Sequence, residues 1–129
     1  IISVPGKKPA VCHSLSELID LYPTVSKLCG LKIPGNIQGK DISGMLDDPA
    51  LKVRDAALSS GKGRLLRTEK WALLDYGKKG ELYDMENDPK QYDNLFEKSE
   101  YADTLAGLKA KLKAKLGEIG KNDLNLNKL

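Results

Sequence analysis

The stretch Gly80-Glu81-Leu82-Tyr83-Asp84-Met85-Glu86-Asn87-Asp88-Pro89-Lys90-Gln91-Tyr92-Asp93-Asn94-Leu95 divides the chain in two. Leu82 to Met85 reads as a short strand. It stops at Asn87-Asp88-Pro89, where the proline ring fixes φ and pushes Asp88 into an extended conformation. Before this junction the sequence is short strands and turns. After it comes one helix.

Working upstream, Trp71-Ala72-Leu73-Leu74-Asp75-Tyr76 and Arg64-Leu65-Leu66-Arg67-Thr68 are strand candidates, with Ala56-Ala57-Leu58-Ser59 a shorter third. Glu69-Lys70 leaves room for a two-residue hairpin connection, though not in the preferred turn chemistry. Gly77-Lys78-Lys79-Gly80 is a turn before the junction strand. Short strands joined by short turns predict an antiparallel meander of three to four strands. So small a sheet needs a helix on one face.

Downstream, Leu105, Leu108, Leu112, Leu116 and Ile119 step by three or four residues and form one apolar stripe, predicting a helix from Tyr101 to about Gly117. Lys109, Lys111, Lys113 and Lys115 fall on its other faces and read as solvated surface. The tail from Lys121 to Leu129 is polar and asparagine-rich, and is expected to fray.

The first fifty residues read differently. Ile1-Ile2-Ser3-Val4 resembles a strand with no lead-in, a hint that the chain is a piece of something larger. Ser14-Leu15-Ser16-Glu17 matches a capping box, and Leu15, Leu18, Ile19 and Tyr22 follow at helical spacing. Pro23 predicts a break near Leu21-Tyr22 and the start of a second helix, ending at Gly30 as a left-handed cap. Residues 35–52 read as an ordered loop with one helical turn, held by Ile37, Ile42, Met45 and Leu46.

At 129 residues and a net charge of +3, the chain fits one modest domain with no basic patch for nucleic acid. No apolar run approaches the roughly 20 residues that span a membrane, and no signal peptide is visible. Cys12 and Cys29 match no metal spacing and read as ordinary buried or half-buried thiols, with a disulfide between them as the alternative. His13, the only histidine, sits in a connector without an implied partner. Asp47-Asp48 and the acids Asp84, Glu86 and Asp88 lack the spacing of a calcium loop. Gly61-Lys62-Gly63 falls short of a phosphate cradle. Read from its residues, the chain holds no catalytic, cofactor-binding or metal site.

Four segments carry a resemblance. Glu81-Leu82-Tyr83-Asp84-Met85 through Asp88-Pro89 and Asn94-Leu95, with the helix that follows, resembles the C-terminal end of the sulfatase family. Asp20-Leu21-Tyr22-Pro23-Thr24-Val25 resembles its helix pair, Gln38-Gly39-Lys40-Asp41-Ile42 its glycine loop, and Arg67-Thr68-Glu69-Lys70-Trp71 its hairpin. The iduronate-2-sulfatase-like branch, within the alkaline phosphatase-like superfamily, is the nearest in flavour. The resemblance implies an α+β fold, with a small antiparallel sheet packed on a C-terminal helix. It also implies that an N-terminal strand and helix pair belong to the edge of a larger α/β domain. On that basis residues 1–50 are the tail end of the catalytic domain, 51–120 the C-terminal subdomain and 121–129 a tail.

The family's nucleophile is a formylglycine made from the cysteine of a C-x-P-x-R motif, beside a calcium ion. Cys12 is followed by His13-Ser14-Leu15-Ser16 and Cys29 by Gly30-Leu31-Lys32-Ile33, so neither fits. Formylglycine and calcium are therefore expected in a preceding portion of the enzyme. That portion is the expected partner, a sulfated sugar or other sulfate ester the expected substrate, and an exported compartment the expected setting. The rival readings are a free-standing, non-catalytic binding or scaffold module and part of a related phosphatase or phosphodiesterase.

Overall fold

The computed structural model describes residues 1–119. Four strands follow one another, β1 (Ala57–Ser60), β2 (Arg64–Arg67), β3 (Trp71–Asp75) and β4 (Gly80–Asp84), in an antiparallel sheet of order β1-β2-β3-β4. The register places Leu58, Leu66, Leu73 and Leu82 opposite one another in a single row. Because side chains alternate across a strand, that row belongs to one face. The helix α2 (Ala102–Glu118) covers it with Leu108 and Leu112, and Ala56 and Leu95 complete the buried core. Trp71 and Tyr101 meet edge to face at 6.0 Å beside it.

Both expected turns form. The amide of Thr68 donates to the Trp71 carbonyl at 2.8 Å and closes the Glu69-Lys70 connection. The Thr68 hydroxyl also accepts from the Trp71 amide at 2.9 Å, supplying the bond that poor turn chemistry leaves missing. Between β3 and β4, Gly77 takes φ +91° and Asp75 Oδ1 accepts its amide.

The junction does more than end a strand. After Pro89 the chain turns back, so that Leu95 donates its amide to the Leu82 carbonyl at 2.8 Å. Asn94 Oδ1 accepts from the Leu82 amide at 3.0 Å. The outer edge of β4 is thus bonded by a side chain and a single backbone link, which blunts it as a pairing edge. Gly80 permits this closure: a Cβ there would lie 2.3 Å from the Phe96 ring.

Three expectations are corrected. Ile1–Val4 holds no strand; the Val4 carbonyl instead accepts the Lys7 amide at 3.2 Å and closes the turn at Pro5-Gly6. The helix pair is one helix, α1 (Leu21–Leu28), entered through a single 3₁₀ turn at Leu18–Asp20. Pro23 sits in its first turn, where the N–H that proline lacks has no intrahelical acceptor to lose. The apolar stripe of α2 stops at Leu116, because Ile119 follows the helix in extended backbone and is 46% exposed. Gly30 takes the expected left-handed cap at φ +69°, and Ser43–Leu46 forms the expected helical turn with Ile42 and Met45 buried. The tail from Lys121 lies outside the described residues.

Candidate functional site

The residues singled out for chemistry do not converge. His13 and both cysteines are exposed, which corrects the expectation of packed thiols. Asp47 pairs with Lys7, and Asp48 accepts the amide of Ala50. Asp84 Oδ1 accepts the amides of Glu86 and Asn87 at 3.0 and 3.2 Å, while Oδ2 accepts the Asn87 side chain at 2.9 Å. The Asn87 side chain is the main reason the Asp84 carboxyl titrates below its usual range. Asp88 Oδ2 accepts the Asp93 amide at 2.9 Å. These carboxylates bond to turn amides or, for Asp47, to a lysine. Among the described residues, no three His, Cys, Asp or Glu side chains gather as a metal site. The described residues therefore do not fit a calcium ion or a formylglycine precursor.

Gly61–Gly63 makes the β1–β2 turn, with the Gly61 amide donating to the Gly63 carbonyl. Lys111 and Lys115, expected as solvated surface, instead share Asp55 at 2.9 and 3.2 Å. These two lysines pull the Asp55 carboxyl down to about 2.

What the sequence did not reveal is a buried polar cluster where α1 meets the sheet. Glu17, not Ser14, caps the 3₁₀ turn, and Asp20 completes a reciprocal box with it. The Ser14 hydroxyl donates to the Leu51 carbonyl instead. Asp20, wholly buried, accepts the Glu17 amide at 2.7 Å, the Lys40 amide at 2.8 Å and a guanidinium nitrogen of Arg54. Arg54 also holds Glu17 Oε2 at 2.7 Å, and Glu17 Oε1 takes the Leu58 amide at 2.5 Å. Thr24 donates its hydroxyl to the Asp20 carbonyl and accepts the Ile42 amide. Gly39 lets its loop reach the helix, since a Cβ there would sit 2.0 Å from the Ile19 carbonyl oxygen. The cluster joins α1, the glycine loop and β1. No local pattern marks Arg54, because its partners lie 34 and more residues away in sequence. Beside it opens a cleft of about 670 Å³ lined by Lys40, Ser60, Arg64 and Lys115 among others. Such a lining can hold hydroxyl or anionic groups.

This arrangement turns α1 inside out. Its buried side chains include Thr24 and Ser26, at 0 and 5% exposure, after Asp20 of the 3₁₀ turn at 0%. Pro23 is buried with them, but the larger apolar residues face outward: Leu18 of the 3₁₀ turn at 83%, then Leu21 43%, Tyr22 58%, Val25 53% and Leu28 38%. They recur every three or four residues and so form one stripe.

Comparison with known proteins gives this geometry a family. Residues 1–118 match the family model described as N-sulphoglucosamine sulphohydrolase, C-terminal. The chain belongs to that family. Relatives are sulfatases: an ulvan-active sulfatase of Formosa agariphila is 31% identical, with 93% of this chain matching 26% of its length. An arylsulfatase of Clostridium perfringens is 26% identical, with 78% of this chain matching 22% of its length. The chain thus spans about a quarter of the length of these relatives. Among solved structures, one described as in complex with its substrate D-glucosamine-2-N,6-O-disulfate superposes with a TM-score of 0.68 at 26% identity, over 81% of this chain and 24% of its own. A phosphonate monoester hydrolase of Silicibacter pomeroyi superposes over 96% of this chain and 29% of its own, with a TM-score of 0.78 at 21% identity, and shares the fold. The sulfatase resemblance and the small sheet with its C-terminal helix are both borne out.

Proposed function

We propose that this chain is the C-terminal portion of a sulfatase that hydrolyses sulfate esters of a sulfated sugar. Its own role is structural: it docks on the preceding catalytic portion and walls the substrate cleft. The observation that carries this reading is the inverted helix α1, whose exposed stripe needs an apolar partner, in a chain spanning a quarter of its relatives' length. Residues 1–50 then belong with the catalytic domain and 51–120 form the subdomain proper. Formylglycine and calcium reside in the preceding portion, and the enzyme works in an exported compartment. Neither cysteine of this chain stands in the C-x-P-x-R motif that supplies the family's nucleophile, and on this reading the activity belongs to the whole enzyme. The test is free sulfate released by the full-length protein from a 6-O-sulfated amino sugar. Release supports the reading. Hydrolysis of a phosphate or phosphonate ester with no sulfate release would overturn it in favour of the related hydrolase class.

A further inference from the structure

Arg67 ends β2 on the sheet face turned away from α2, in the row that holds Ala57, Ala72 and Tyr83. Its side chain makes no hydrogen bond and no ion pair within the described residues, and Nη1 is shut off from water without an acceptor. A guanidinium has five donors and is always charged, so leaving it half-buried without an acceptor is costly. Burial pulls its pKa down.

Arg67 lies in a cleft of about 610 Å³ between residues 11–15, residues 49–52 and the β2–β3 hairpin. That volume is in the range of small-ligand sites. His13 and Lys52 also line it, and Val11, Leu15 and Pro49 give it an apolar wall. The one acid there, Glu69, is taken by Lys52 at 2.6 Å, so the positive charge of Arg67 is left unbalanced. A forked donor against an apolar wall suits an oxyanion carried on a sugar ring, a sulfate or a carboxylate.

We propose that Arg67 receives a second anionic group of a sulfated saccharide, on a part of the substrate other than the ester that is cleaved. This rests on the sulfatase reading above. Arg67 is a binding residue here and takes no part in bond cleavage.

The test is the full-length enzyme and its Arg67→Gln and Arg67→Lys variants, assayed for sulfate release on two substrates. One is a singly charged aryl sulfate. The other is a sulfated disaccharide with an additional sulfate or carboxylate. Losing a charge-assisted hydrogen bond predicts that R67Q raises KM for the disaccharide about ten- to hundredfold, with kcat unchanged and the aryl sulfate unaffected. R67K, which keeps the charge without the fork, falls between, and it carries the test if R67Q does not fold. An unchanged ratio of the two KM values overturns the proposal. So does an equal loss on both substrates with a lowered melting temperature, which would show Arg67 holding a carboxylate of the enzyme itself. If the wild type releases sulfate from neither substrate, the sulfatase reading fails and the Arg67 proposal with it; an unchanged ratio in an active enzyme sinks the Arg67 proposal alone.

Discussion

Arg54 is the residue on which the N-terminal third of this chain is hung. Its side chain is only 8% exposed and bridges Glu17 and Asp20, with Asp20 wholly buried. Removing one partner of a buried pair leaves the other charge without compensation, a cost of about 3–5 kcal/mol. Arg54→Ala is therefore expected to lower stability by that order, read from urea unfolding of the transition that includes these residues. A loss below about 1 kcal/mol would mean that the backbone donors of Glu17 and Lys40 are enough for Asp20 by themselves. The sequence could not point to this cluster. Capping patterns are read within four residues, and that range found Ser14 and Glu17. The true box lies one turn later, and its cation comes from beyond the glycine loop.

At the scale of elements, α2 is held to the sheet from two sides. Leu108 and Leu112 bury against Leu66, Leu73 and Leu82. Lys111 and Lys115 clamp Asp55 just before β1. The folded Asp55 titrates at about 2, below its ordinary 3.8. A depressed carboxylate stabilises the fold above its unfolded pKa, and that stabilisation is lost as pH falls through the folded value. The stability advantage of the wild type over Asp55→Asn should hold at neutral pH and disappear between about pH 4 and pH 2. Because the Asp55 side chain is 62% exposed, solvent screening keeps the advantage below about 1 kcal/mol. Melting temperatures of both proteins across that range check it, and a difference that does not change with pH would remove the clamp. The meander and α2 were legible because their signals are local: short apolar runs, glycine turns and a leucine stripe. Ile119 was misread because the stripe's spacing continues past the point where the backbone leaves the helix. The single helix α1 was misread because Pro23 breaks a helix interior but is tolerated in its first turn.

At the scale of the whole molecule, the chain has one conventional face and one inverted one. The sheet and α2 bury leucines inward, as a free-standing domain does. The helix α1 and the 3₁₀ turn before it bury Asp20, Thr24 and Ser26 and show Leu18, Leu21, Tyr22, Val25 and Leu28 to the outside. Periodicity alone revealed an amphipathic helix there but not which face turned inward, since that depends on Arg54 and the glycine loop. Amide hydrogen exchange across Leu21–Leu28, compared between the full-length enzyme and residues 1–129 alone, tests the docking claim most directly. Packing of this stripe against the catalytic portion predicts exchange slowed by an order of magnitude or more in the full-length enzyme. Equal exchange rates in the two would contradict the account, because the apolar face of α1 would then have no partner in the enzyme.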